Sequence, residues 1–392
     1  MKILVLLLVF SSFNVNAAWN VQSQSKIRQM EEDYKNMGTG ELASAWGTWK
    51  RTHLFSPTIS GKVIKVPTNE TRQGFVNAYF YKIPTNASRP LIVYFPRMFG
   101  EIGDKLTDDF VSKIEELNVH VLVIPNFLSH SWIQAQPIYD KHPVKTEIFI
   151  IAAIWKEMLK QIPKDNISET HFIGEGLGGI LASAWAAQMD FTPRPLTVSL
   201  LWPPAEFDTS MINLDAFIES SSKDWANCGS IGTFPTFLNY FILSDTPVGI
   251  SKSDDQCLSA WGANREYVKN LHSLSTLNAH ITNGQVTRPK NFQYFFEHSY
   301  KTFFRAITKK DEMLHLGYWI NSIRKSQPAL DVRILTSFDD FFNKGIPLAE
   351  VARKANLQPE NIMVMNWGGH GGPIGTPEFT EVLTFEFKRN AN

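Results

Sequence analysis

Apolar positions follow two rhythms along this chain. The continuous apolar run Pro90–Phe95 has the length and composition of a strand buried on both faces, Val119–Ile124 reads as another, and Thr170–Ile173, Leu196–Leu201, Asp331–Thr336 and Asn361–Met365 read as further strands. Between them, Asp108–Glu116, Thr146–Ile162, Gly178–Met189, Leu348–Asn356 and Glu378–Arg389 read as helices. Ahead of this series, residues 20–50 predict a leading helix. Lys62–Pro67 and Gly74–Ile83 predict two strands, the second alternating like a half-buried antiparallel one. Strands that alternate with helices predict an α/β fold, with a mostly parallel sheet and helices on both faces.

The rhythm breaks after Trp202. From about Glu206 to Ser326 no strand pattern occurs, and helical aromatic stretches (Phe292–Arg305, Leu314–Lys325) stand among loops. This reads as a cap inserted over residues 206–328, between a first core part (18–205) and a second (329–392). Lys2, the apolar run Ile3–Phe10 and the small residues Val15 and Ala17 form a signal peptide over residues 1–17, with cleavage after Ala17. The expected product is exported, to a periplasm or outside the cell. The apolar run is too short to span a bilayer, no later run reaches spanning length, and stable membrane insertion is not expected. In an oxidising compartment Cys228 and Cys257 would form a disulfide closing a loop of about 30 residues, worth ~3 kcal/mol.

Charge narrows the partners. Lys+Arg and Asp+Glu both number 38, so no basic face argues for nucleic acid. The 10 His are scattered without ligand spacing, and neither metal nor cofactor is expected. Nothing in the sequence sets an oligomeric state.

The chemistry lies at Gly174-Glu175-Gly176-Leu177-Gly178-Gly179, between a predicted strand and a predicted helix. A nucleophile elbow needs small residues two before and two after the nucleophile, because the turn is too tight for side chains there. Gly174 and Gly178 meet that need around position 176, whereas a frame centred on Glu175 would put Ile173 and Leu177 at the small positions. The elbow therefore centres on Gly176, which has no side chain to attack with. Later, Ser-Phe-Asp-Asp-Phe-Phe (337–342) follows a strand, and Asp339 or Asp340 could orient an imidazole. Trp-Gly-Gly-His-Gly-Gly (367–372) follows the last strand and puts His370 on a glycine loop. Nucleophile position, acid, then base is the chain order of α/β-hydrolase triads.

On these motifs the sequence resembles the α/β-hydrolase superfamily. Within it, the sequence is similar to the serine-esterase branch described as embryogenesis-associated hydrolases, with Gly176 in place of the nucleophilic serine. That resemblance implies Asp340 as the acid and His370 as the base, with the Leu177 and Met98 N–H groups as oxyanion donors. Pro96 and Arg97 depart from the His-Gly pair usual in that loop. The implied protein is a catalytically impaired esterase scaffold that binds a small apolar or acyl ligand. One alternative is an active ester hydrolase using His370 and Asp340 with water or a displaced nucleophile, for which Ser183, seven residues past Gly176 and expected to be buried, is a poor substitute. Another is dinucleotide binding, since residues 174–179 also match Gly-x-Gly-x-x-Gly.

Overall fold

The computed structural model describes residues 19–35, 58–85, 87–138, 143–188, 195–227, 275, 291–294, 311–345, 348–374 and 376–387. The signal peptide, Cys228, Cys257, most of the proposed cap and residues 36–50 of the expected leading helix lie outside these.

Eight strands form one sheet: β1 (Lys62–Pro67), β2 (Phe75–Tyr81), β3 (Arg89–Phe95), β4 (His120–Val123), β5 (Ile167–Glu175), β6 (Pro195–Leu201), β7 (Asp331–Ser337) and β8 (Ile362–Met365). Their spatial order is β1-β2-β4-β3-β5-β6-β7-β8. β2 pairs antiparallel with β1 and β4, and every other pairing is parallel. The central strands are apolar runs because helices cover both of their faces. Leu91 to Phe95 of β3 and all four residues of β4 are buried.

One face carries α1 (Val21–Lys35), α2 (Lys105–Glu115) and, at the chain's far end, α9 (Pro377–Phe387), which share a core with Tyr94, Ile173 and Trp202. The other carries α3 (His130–Ala135), α4 (Pro143–Gln161), α5 (Leu177–Gln188), α6 (Phe207–Asn227), α7 (Leu316–Ser326) and α8 (Leu348–Lys354). α5 is built of small and apolar residues, Leu-Gly-Gly-Ile-Leu-Ala-Ser-Ala-Trp-Ala-Ala-Gln, and is buried from Leu177 to Ala186. Small side chains let it sit close behind the sheet, with α4 and α7 packed outside it.

Two helices differ from the sequence reading. α3 is six residues long, too short for its period to register. α6 falls where only loops were expected, although Phe207, Met211 and Leu214 form a buried stripe at helical spacing. Among the described residues no helix is long and apolar enough to cross a membrane.

Candidate active site

β5 ends at Glu175 and α5 starts at Leu177, so Gly176 alone turns the chain. Its φ is +54°, a left-handed value that glycine adopts without a Cβ penalty. Its N–H donates to the Leu201 carbonyl, and its carbonyl accepts from the Gly179 N–H, both at 2.9 Å. A Cβ on Gly174 would lie 2.5 Å from the Gly178 oxygen, and one on Gly178 would collide with the Phe95 carbonyl. The flanking glycines are thus required by the chain's own backbone. At Gly176 the nearest atoms to an added Cβ would be Arg97 Cβ at 3.5 Å, Arg97 Cα at 3.7 Å and His370 Nε2 at 3.8 Å. These are ordinary contacts, so position 176 has room for a side chain where its neighbours have none.

The imidazole over this turn is held from below. Asp340, 3% exposed, follows β7 and places Oδ1 3.0 Å from His370 Nδ1. The same carboxylate accepts from the Phe342 N–H and from Asn343 Nδ2, each at 2.9 Å. Asn343 in turn bonds the Pro203 carbonyl (3.1 Å) and the Ala205 N–H (2.8 Å), tying the acid to the segment after β6. With Nδ1–H donating to Asp340, His370 Nε2 presents its lone pair on the elbow side. The Phe342 ring stacks on the imidazole at a centroid distance of 4.0 Å.

The neighbouring aspartate does a different job. Asp339 accepts from the Gly369 N–H at 2.8 Å and the Gly368 N–H at 3.3 Å, so it grips the backbone of the histidine loop. Burial raises its pKa above the ordinary aspartate value, those two amides pull it back, and Asp340 nearby pushes it up further. The residues alone allow either Asp339 or Asp340 as the acid and the resemblance implies Asp340; here Asp340 meets the ring and Asp339 meets the loop amides.

The loop after β3 lies beside the elbow, and Arg97 supplies the atoms nearest to the Cβ position of residue 176. Its carbonyl accepts from the Gly100 N–H (2.8 Å) and from Asn126 Nδ2 (2.9 Å), and its guanidinium pairs with Asp104 at 2.7 Å. Asp104 also caps α2 through the Thr107 N–H, so the arginine is anchored to that helix. The Met98 side chain packs, partly buried, against the core. Leu177 is the first residue of α5, where an N–H has no intrahelical acceptor.

Other candidates are engaged elsewhere. Glu175 is buried, and its carboxylate accepts from the Tyr94 hydroxyl on the α2 and α9 face. Ser183 is fully buried and donates to the Gly179 carbonyl at 2.8 Å. The glycines at 174 and 178 accommodate this chain's own backbone, and β6 ends in Leu201 without the acidic residue a dinucleotide ribose would need. Glu206, Asp208 and His315 bring donor atoms within 4.8 Å of one another where the chain leaves and re-enters the core. There Glu206 accepts from Thr209 Oγ1 and Asp208 from the Thr209 N–H, both within the first turn of α6. A groove of about 560 Å³ runs between α1 and β8, lined in part by Ile27, Arg28, Glu31 and Val364, and none of its lining belongs to the elbow or to the His370–Asp340 pair.

No family model matches the chain, and no curated protein matches it. Among solved structures it is similar to the acylaminoacyl peptidase of Pyrococcus horikoshii, with 11% identity and a TM-score of 0.44 over 86% of this chain and 41% of the peptidase. This chain thus spans less than half of that protein's length. Carboxyl esterase 2 of the mycorrhizal fungus Tuber melanosporum gives 15% identity and a TM-score of 0.44 over 90% of this chain and 99% of the esterase. An esterase of Pyrococcus furiosus gives 12% identity and a TM-score of 0.46 over 84% of this chain and 91% of its own. The strand order and the strand–turn–helix at Gly176 are intrinsic to this sequence, and they make the protein one of the α/β-hydrolase fold.

Proposed function

We propose that this is an exported, catalytically impaired esterase scaffold that binds a small apolar or acyl ligand at the elbow. The single observation behind this reading is the 3.8 Å separation between His370 Nε2 and the Cβ position of residue 176. A serine hydroxyl built on that Cβ would come within reach of the imidazole, and Asp340 already fixes the ring. Acid, base and a sterically permissive turn are all present, and the attacking oxygen is not.

A triad without its nucleophile keeps ~10³–10⁴ of rate over water, from binding and transition-state contacts, and loses on the order of 10⁶ in turnover. The Leu177 N–H, pointing out of the first turn of α5, offers a donor to a ligand oxygen. The similarity to the embryogenesis-associated esterase branch belongs to this reading, with Gly176 as a replaced serine.

The test compares wild type and Gly176→Ser on short-chain nitrophenyl esters, with binding of a short-chain fatty acid followed by tryptophan fluorescence. The expected result is near-background hydrolysis by wild type, saturable fatty-acid binding, and new turnover in the variant. Ordinary esterase rates in wild type, abolished by His370→Ala, would replace this reading with hydrolysis by His370-activated water. A serine variant that stays inert, with no fatty acid bound, would overturn the scaffold reading.

A further inference from the structure

The loop that carries His370 is held at both ends by α1. Before that helix, Trp19 is 3% exposed and its indole N–H donates to the Asn361 carbonyl at 3.2 Å. The Asn20 N–H donates to Glu386 at 2.8 Å, and Lys26 pairs with Glu381 at 2.8 Å, both carboxylates lying on α9. Ile27 and Met30 are buried in one cluster with Met365, Ile374, Phe379 and Val382. Glu31 Oε1 then accepts from the Asn366 N–H at 3.1 Å and also from the Asn366 side-chain amide. One residue earlier, Met30 Sδ receives the Thr376 hydroxyl at 3.4 Å. Asn366 and Thr376 are the entrance and exit of the histidine loop.

We infer that α1 positions the histidine loop and that Glu31 is the positioning residue, acting on His370 through the backbone of residue 366. The apolar stripe, Trp19 and the Lys26–Glu381 pair dock the helix. Glu31 reaches instead to Asn366, just past the end of β8. A carboxylate that accepts a backbone N–H fixes the direction in which the chain enters the loop. The bond is solvent-exposed, and exposed charge contacts contribute little to global stability. Its effect therefore falls on loop geometry. Asp339 grips Gly368 and Gly369 from the β7 side, so the loop is held from two directions.

This inference rests on His370 being the imidazole of the site, and its test reads the ring directly. Histidine is ¹⁵N-labelled in the full protein, and the His370 ring signals are assigned by their loss in His370→Gln. Wild type is expected to give one set of ring resonances with the proton on Nδ1. Glu31→Ala should broaden or split them toward averaged tautomers, while Glu31→Gln, which keeps an acceptor oxygen, should restore the single set. Lys35→Ala, on the same helix and paired with Glu32 of that helix, should leave the ring unmoved. If Glu31→Ala leaves the ring signals in place, or Lys35→Ala displaces them equally, the inference is overturned. In the Gly176→Ser background, Glu31→Ala should lower kcat about tenfold or more at unchanged KM, as expected for a misplaced catalytic group. Failure of Gly176→Ser to turn over would remove the esterase reading and leave the ring measurement standing.

Discussion

His370 Nε2 lies 3.8 Å from the point at which Gly176 would carry a Cβ. This one separation sets the first experiment. Gly176→Ser is expected to gain hydrolysis of activated esters, because the added atoms enter ordinary van der Waals space next to a base. It should also lose stability by about 1–3 kcal/mol, since a non-glycine residue at φ +54° is strained. Ester turnover and urea denaturation of the two proteins check both halves.

In that serine background Asp340→Asn should lower turnover by on the order of 10⁴, with the fold intact. The carboxylate faces three donors, so a carboxamide must turn its NH2 group toward Asn343 Nδ2 or toward His370 Nδ1 and the Phe342 N–H, and in either orientation it lacks the charge that stabilises the imidazolium. Single-turnover kinetics, with circular dichroism as the folding control, decide the point.

Gly178→Ala is predicted to destabilise by collision, where the serine at position 176 does so by backbone strain. Its methyl would collide with the Phe95 carbonyl and lie 2.6 Å from the Pro96 oxygen, both in backbone that cannot swing aside. Overpacking of this kind costs about 1–3 kcal/mol or more. A midpoint in urea equal to wild type would contradict the steric account of the elbow.

Glu147 on α4 gives a pH signature. It is 1% exposed, one oxygen accepts the Phe127 N–H, and burial drives its pKa well above the ordinary glutamate value. The folded state therefore holds this proton at pH values where the unfolded chain has released it. Stability must fall as pH rises from the ordinary glutamate range upward, and it is retained below that range. Glu147→Gln keeps an acceptor for Phe127 and cannot ionise. Its melting temperature should exceed that of wild type increasingly as pH rises from about 5 toward about 8, and parallel curves would refute the assignment.

The sheet was legible because short strand-like segments alternate with helical ones, and because β3, covered on both faces, is a continuous apolar run. The elbow was legible because a tight turn restricts residue size at Gly174 and Gly178, and size can be read from a sequence. α6 escaped because Pro203-Pro204 before it and the serines at 220–222 within it obscure the stripe of Phe207, Met211 and Leu214. The resemblance implied Asp340 as the acid, but the task of Asp339 was not legible, since only backbone geometry sends that carboxylate to the Gly368 and Gly369 amides. Arg97 at the elbow was noticed only as a departure from a motif; its anchorage by Asp104 depends on where α2 begins. The grip of Glu31 on Asn366 joins positions 335 residues apart, and no local pattern encodes it.

That span has a consequence for biogenesis. The acceptor for Trp19 is synthesised 342 residues after it, a delay of about 20–70 s at ordinary elongation rates. Throughout that interval Trp19, Ile27 and Met30 have no native surface to cover them, while the strands between can already pair. Trp19 and α1 meet their partners only after β8 and α9 have been made, and only then is the frame around the imidazole complete.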